Sequence, residues 1–362
     1  MTPNLLEREP RSILLVRLSA RGDIVFSSPM VRALRRTYPQ AHLTWLVEAH
    51  TAELIRHHPE LDEVLVWDRS RWRSLLRERR FGTLLREARG LVRDLRSRKF
   101  DLALDLQGLL RSGVWTFLSG AATRIGLQSR EGSGLFMTRV VDRDRKGGDP
   151  ALVSSEYLYL AREMGLDVGD FRMEVPLTRE DRAFARAAVR ALGLSGGYAV
   201  AVPFTTLPSK HWFEDRWARL MDELERERGL PAVILGGPGD QEAQRRIRAM
   251  AGGEPRSLVG ETSLTQAAAL LETADLVIGV DTGLTHMGMA LERPTIAIFG
   301  SNIPYTDPRT EKGRVLVHWL ECSPCRGNPT CGGEFPCLRR ITVEEVMATV
   351  RDLLGQEHEN TG

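Results

Sequence analysis

The segment GVDTGLTHMGMAL, residues 279–291, carries an apolar run (ADLVI) into Asp281, Thr282 and Gly283 and then into a helix-like stretch with His286 one turn inside. Those residue types suit an anion. Glycine lets a ligand approach the backbone closely, threonine adds a hydroxyl donor, and the first turn of a helix offers free N–H groups and the positive end of its dipole. Asp and Thr are also common helix caps, so an ordinary N-cap explains the same residues. A second stretch tilts the balance. In VPFTTLPSKHW, residues 202–212, Thr205 and Thr206 are hydroxyl donors and Lys210 is a compact charge suited to phosphate, while Trp212 reads as a packing residue. In ILGGPGDQE, residues 234–242, Asp240 follows a Gly/Pro turn and either accepts from ribose hydroxyls or caps a helix; in VGETSL, residues 259–264, Glu261 and Thr262 follow another apolar run. Hydroxyls, an ammonium, a carboxylate and a helix start together suit a nucleoside diphosphate. No Walker A loop occurs, and no G-x-G-x-x-G follows the first apolar run of either half, which counts against a P-loop NTPase and an NAD enzyme.

The N-terminal half has its own candidates. RLSARGDIVFSSP, residues 17–29, places Asp23 beside Gly22 at a helix entry, as a reacting carboxylate or as a cap. DLQG, residues 105–108, supplies Asp105 and Gln107, with Arg124 and Arg130 further on.

These residues need elements to hold them at strand ends, and the pattern supplies them. Strands are expected at 12–18, 42–48, 63–67, 101–106 and 123–127, then at 197–204, 230–237, 256–260, 274–280 and 294–300. Helices are expected at 24–38 and 51–59, over the segment from 154, and at 214–228, 240–251, 263–272 and 284–291. Alternating strands and helices predict α/β architecture with doubly wound parallel sheets. In such sheets ligands bind beyond the carboxyl ends of the strands, where the polar residues above fall. A length of 362 residues fits two domains. We place them at 1–175 and 176–356, with a helix capped by Thr342 near the end and a disordered tail over 357–362.

Net charge is +2, unevenly spread: residues 1–175 hold 29 Lys/Arg against 23 Asp/Glu, the remainder 21 against 25. Residues 69–99, which include Arg71 and Arg73, hold 12 basic and 3 acidic residues. A solvated helical face explains that stretch, as does a surface for an acidic sugar, a lipid phosphate or a membrane. Few aromatics interrupt it, and the near-neutral total argues against nucleic acid. No apolar run approaches the roughly 20 residues of a membrane span. Charges in MTPNLLEREPRS argue against an export signal, so a cytoplasmic location is expected. All four cysteines, Cys322, Cys325, Cys331 and Cys337, fall in one Gly/Pro-rich loop, 322–337, spaced C-x2-C-x5-C-x5-C. That clustering fits a structural zinc or iron–sulfur site, or reduced thiols in an ordered loop. No catalytic metal is called for.

LLVRLSARGDIVFSSPMVRALRRTYP, LALDLQGLLRSG, PFTTLPSKHWFEDRWARL, ILGGPGDQE and IGVDTGLTHMGMAL run in order along nearly the whole chain. Together they resemble the lipopolysaccharide heptosyltransferases of glycosyltransferase family 9. The resemblance implies a GT-B fold, two Rossmann-like domains facing across a cleft, the first binding acceptor and the second donor. It also implies ADP-L-glycero-D-manno-heptose as donor and the anionic inner core of lipopolysaccharide as acceptor. The enzyme would be inverting and metal-free, and peripheral on the cytoplasmic face of the inner membrane. By matching positions, Asp23 is the catalytic base. Thr205, Thr206, Lys210, Thr282 and Gly283 hold the diphosphate, Asp240 the ribose and Thr262 the adenine, and Asp281 and His286 are further donor-side residues. Asp105, Gln107, Arg71, Arg73, Arg124 and Arg130 are acceptor-side candidates. A free aspartate, near pKa ~3.9, is a weak base, and burial at a cleft would raise it. A family member moving another sugar, a sugar-nucleotide 2-epimerase and a non-catalytic nucleotide-sugar binder are the alternatives.

Overall fold

Short runs rich in Val, Ile and Leu, fully buried in the central strands over 13–16, 102–105, 199–202 and 276–280, need cover on both faces, and parallel sheets with flanking helices provide it. In the computed structural model these runs form two six-stranded sheets. Residues 8–129, 131–142, 149 and 151–359 are described, with side chains of the last helix described to residue 355. The chain divides into two compact units at Pro176/Leu177; Ala151–Val153 count with the second, where the Val153 N–H donates to the Asp307 carbonyl at 2.9 Å.

The first unit holds strands β1 (Ser12–Val16), β2 (His42–Glu48), β3 (Glu63–Trp67), β4 (Leu102–Asp105), β5 (Thr123–Leu127) and β6 (Arg139–Val141), and helices α1 (Arg21–Ser27), α2 (Pro29–Thr37), α3 (Arg69–Arg77), α4 (Phe81–Ser97), α5 (Leu110–Leu118) and α6 (Ser155–Glu163). Its strand order is β3-β2-β1-β4-β5-β6, parallel throughout. The second holds β7 (Ala199–Val202), β8 (Ala232–Ile234), β9 (Arg256–Ser257), β10 (Leu276–Val280), β11 (Thr295–Phe299) and β12 (Gly313–Val317). Its helices are α7 (Arg179–Ala191), α8 (Glu214–Arg228), α9 (Gln241–Met250), α10 (Leu264–Thr273), α11 (Gly283–Ala290), α12 (Pro336–Arg339) and α13 (Val343–Glu359). Here the order is β12-β11-β10-β7-β8-β9, which is the first sheet's winding repeated. In each sheet the winding reverses beside the first strand, between β1 and β4 and between β7 and β10. In open parallel sheets of this kind ligands bind beyond the strand ends at such a reversal point.

Several elements differ from expectation. The helix expected over 24–38 is two helices, because Pro29 has no N–H to continue the first, and α1 begins at Arg21. The helix expected over 51–59 is a 3₁₀ turn, Ala49–Leu54, followed by turns that run into Pro59, which disfavours helix before it. Edge strands β6 and β12 were not anticipated. Thr342 accepts the Glu345 N–H at 3.2 Å, as a cap should, and α13 continues to Glu359, into the segment expected as a tail; residues 360–362 lie outside the described ones.

Each unit has its own core. In the first, Trp67, Trp72 and Trp115 meet edge-on or tilted at centroid distances of 5.4–5.8 Å over Leu14, Val16 and Leu95. In the second, Trp212 packs edge-on against Trp217 at 5.2 Å and donates its indole N–H to the Ile341 carbonyl at 2.9 Å, which is the packing role expected of it. These cores fix the strands whose tips carry the polar residues.

Candidate active site

At the reversal point of the second sheet, β10 runs fully buried to Val280 and the chain turns at Asp281 into α11. The turn is tight because Gly279 has no side chain: a Cβ there would collide with the Thr285 hydroxyl and sit 2.9 Å from Val202 Cβ on β7. The Thr285 hydroxyl instead donates to the Val280 carbonyl at 2.7 Å. Thr282 is the N-cap residue of α11, and its side chain makes no capping hydrogen bond. The hydroxyl is half-buried beside an uncapped helix start, so the first-turn amides and the dipole remain directed at whatever anion sits there.

Asp281, which the cap explanation would place on that helix start, faces elsewhere. Its carboxylate accepts from Lys210 Nζ at 2.6 Å and Asn302 Nδ2 at 2.7 Å on Oδ2, and from His286 Nε2 at 3.2 Å on Oδ1. His286 Nδ1 lies 2.8 Å from the Tyr305 hydroxyl, so the ring is held at both nitrogens. Burial alone would raise the Asp281 pKa; the hydrogen bond and charge of His286, then those of Lys210, outweigh it and hold the carboxyl well below the usual carboxylate range. The buried Tyr305 hydroxyl is pushed up by desolvation and by the Asp281 charge. Asp281 thus anchors Lys210 and His286. Lys210 keeps 19% of its side chain exposed and has two further N–H donors for a phosphate without leaving Asp281.

This network makes a prediction. A carboxyl whose folded pKa is depressed stabilises the fold above its unfolded value of about 3.9 and loses that contribution as pH falls through the folded value. Asp281→Asn should therefore lower stability by about 2 kcal/mol or more at neutral pH. The gap between parent and variant should close below about pH 4. Urea unfolding of both proteins across that range checks it; a constant gap would contradict the assignment.

The other expected donor residues surround the same edge. Thr205, on the loop after β7, donates its hydroxyl to the Asp281 carbonyl at 3.2 Å, and its own carbonyl lies 2.8 Å from His211 Nε2. Thr206 is exposed. Asp240 does not cap α9 with its side chain; its Oδ2 accepts the Gly237 N–H at 2.8 Å and closes the Gly/Pro turn. Thr262 is half-buried, and the α10 cap is its neighbour Ser263, which accepts the Gln266 N–H at 3.1 Å. Sequence reasoning missed Asn302 and Tyr305, which follow β11 and complete the Asp281 network. The Cys loop lies behind that segment: Ser323 donates to the Gly300 carbonyl at 2.7 Å and Arg326 N–H to the Ser301 carbonyl at 2.8 Å. Its four thiols are free, burial pushes the Cys337 thiol up, and among the described residues no three Cys, His, Asp or Glu side chains are grouped to hold a metal.

In the first unit the reversal point holds Arg17, Asp23, Asp105 and Gln107. Asp23 is the third residue of α1 rather than its cap residue. Its Oδ2 accepts the Ala20 N–H at 3.0 Å, a capping-box bond, and Arg17 Nη2 at 2.7 Å. The Asp23 side chain is 40% exposed. Arg17 is buried, donates to the Leu106 carbonyl at 2.9 Å and lies 6.0 Å from the centre of the Tyr157 ring. A lone charge in an apolar strand was the signal for Arg17, and it was overlooked. Asp105 Oδ1 accepts the N–H groups of Gln107 and Gly108, both at 3.0 Å, and burial raises its pKa. Gln107 Oε1 accepts the Leu18 N–H at 3.0 Å. Both therefore shape the loop.

The arginines expected to face an acceptor divide. Arg71 grips Glu87 through Nε and Nη2, the shorter contact being 2.7 Å. Arg124 donates to the carbonyls of Phe136 and Ala121, both at 2.7 Å, and lies over the Phe117 ring. Arg73 is exposed, and Arg130 lies outside the described residues.

Comparison with known proteins follows the same lines. Residues 88–333 match the family model described as "Glycosyltransferase family 9 (heptosyltransferase)". The chain is 27% identical to lipopolysaccharide heptosyltransferase 2 of Salmonella typhimurium, over 95% of this chain and 99% of that protein. Among solved structures it resembles Escherichia coli ADP-heptose lps heptosyltransferase II (TM-score 0.75, 25% identity, 96% of this chain and 99% of that one). It also resembles E. coli heptosyltransferase WaaC with ADP-2-deoxy-2-fluoro heptose (TM-score 0.66, 25% identity, 94% and 99%).

Proposed function

The chain belongs to glycosyltransferase family 9, and from that premise we propose that it transfers L-glycero-D-manno-heptose from ADP-heptose to the inner core of lipopolysaccharide, by inverting displacement without a catalytic metal. One observation carries the donor half: at the reversal point of the second sheet, the uncapped helix start at Thr282 directly follows Asp281, the ionised carboxylate that Lys210 pairs with at 2.6 Å. ADP leaves as an anion, so charge develops on the diphosphate as the glycosidic bond breaks. Preorganised donors stabilise that charge with little reorganisation. A charge-assisted hydrogen bond is worth about 1.5–3 kcal/mol and a helix terminus about 0.3–1 kcal/mol, so together they supply roughly one to three orders of magnitude in rate.

The acceptor half rests on Asp23. Arg17 and the Ala20 N–H hold Oδ2, leaving Oδ1 to take the proton of the attacking hydroxyl. Thr205, Thr206 and Gly283 complete the diphosphate contacts. Asp240 takes ribose hydroxyls through Oδ1, and Thr262 lies beside the adenine. Arg73, with Arg130, offers charge to the acidic acceptor. On this reading the acceptor is lipid-borne and the protein works at the cytoplasmic face of the inner membrane. Among the described residues no helix is long and apolar enough to cross a membrane.

Incubation with ADP-heptose and a panel of truncated core acceptors, followed by mass spectrometry, tests the reading. One added heptose on Kdo-lipid A or heptosyl-Kdo-lipid A is expected, undiminished by EDTA. Conversion of the sugar nucleotide in the absence of acceptor would instead indicate an epimerase, and loss of activity with chelator would remove the metal-free mechanism.

A further inference from the structure

Helices α3 and α4 form a hairpin whose tip, residues 76–82, is exposed at every position. A solvated tip of that kind is ordinarily polar. This one carries Leu76 at 50% and Phe81 at 59% exposure, and Leu85 on the next turn at 50%. Phe81, Leu85, Ala88 and Val92 share one stripe of α4 by their spacing, and the stripe runs into an open depression of about 620 Å³ lined by Ala88, Arg89, Val92, Arg93, Arg96 and Ser97. The inward side of the same helix packs on the core through Leu91, Leu95 and Val92, the last of which closes the inner end of the stripe.

Charge surrounds the apolar groups. Arg77, Arg79, Arg80 and Arg86 lie within ten residues of sequence, all exposed. Of these, Arg80 has a carboxylate near it, Glu78 at 3.8 Å. The other nearby acid, Glu87, is already gripped by Arg71. We propose that this tip docks the protein onto an anionic lipid bilayer, with Leu76, Phe81 and Leu85 entering the headgroup boundary and the arginines meeting lipid phosphates. Two weak signals, apolar insertion and basic charge, together give stable but reversible attachment, whereas either alone is marginal. A polynucleotide would engage the arginines but leave the leucines in water. The proposal extends the reading above, in which the acceptor is carried in a membrane, but its test needs neither donor nor acceptor.

The test is co-sedimentation of the full chain with vesicles of phosphatidylcholine alone or mixed with phosphatidylglycerol. Binding is expected to the anionic vesicles only and should weaken as salt rises. Each basic residue near an anionic surface is worth about fivefold in partitioning, so Arg77→Gln/Arg79→Gln/Arg80→Gln should bind about a hundredfold more weakly. Leu76→Ser/Phe81→Ser should lose about tenfold or more. Both variants change solvated side chains and should keep the parent's melting temperature. Trp319→Ser, which removes an exposed aromatic from the second unit, should leave binding unchanged. Equal binding to neutral and anionic vesicles, unchanged binding of the tip variants, loss with Trp319→Ser, or tighter binding to polyuridylate than to anionic vesicles would each overturn the proposal. A chain that docks on vesicles but transfers no heptose would sink the functional reading alone; one that transfers to a delipidated acceptor but ignores vesicles would sink the docking surface alone.

Discussion

Asp23→Asn is expected to lower turnover by about 10²–10⁴-fold while ADP affinity stays at the parent value. Asparagine keeps the shape of the side chain and can still accept the Ala20 N–H, so α1 keeps its start. What disappears is the proton acceptor, together with the charge that Arg17 faces at 2.7 Å. Arg17 is buried and would then lack its carboxylate, so part of the loss could come from a displaced loop. Two readouts separate the effects. Thermal stability reports the ion pair, worth little where one partner is 40% exposed. A fall in kcat with ADP affinity and melting temperature both unchanged reports the base. Equal losses of turnover and ADP affinity would show that Asp23 acts through the fold.

Lys210→Ala is the second large effect, and it should divide the other way. Loss of a charge-assisted phosphate contact should weaken ADP binding by roughly 10–100-fold, and turnover at saturating donor should fall by about tenfold because leaving-group charge is less well stabilised. Asp281 loses one partner but keeps His286 and Asn302, at 3.2 and 2.7 Å, so the second unit should remain folded. Isothermal titration with ADP and a steady-state kcat measurement decide it. Unchanged ADP affinity would mean that Lys210 serves Asp281 alone.

Both residues were legible in the sequence for one physical reason. In a parallel sheet the strand interiors are apolar and the carboxyl ends carry the working groups, so reading the first polar residues after each apolar run finds the site. That logic put Asp23, Lys210 and the Asp281–Gly283 turn in the segments that follow strands, where the structure has them, and it set most strand and helix positions within two or three residues. It could not show what a side chain does when two partners compete for it. Asp281 has the composition of a cap and is instead the hub of three donors; Asp240 closes its own turn. Arg71 and Arg124 add to a basic total, yet their guanidinium groups are occupied by Glu87 and by backbone carbonyls. Asn302 and Tyr305 sit in the loop after β11 with no motif around them, and only the fold brings them to Asp281 and His286. Edge strand β6 has three residues, too few to show a period.

The most direct test of the central claim is a crystal structure of the protein with ADP bound. The diphosphate should lie on the Gly283 amide, with the Thr282 hydroxyl and Lys210 Nζ within hydrogen-bonding distance of its oxygens and Lys210 still touching Asp281. ADP bound away from the β7/β10 reversal point, or a lysine that stays on Asp281 while phosphate sits out of its reach, would contradict the account.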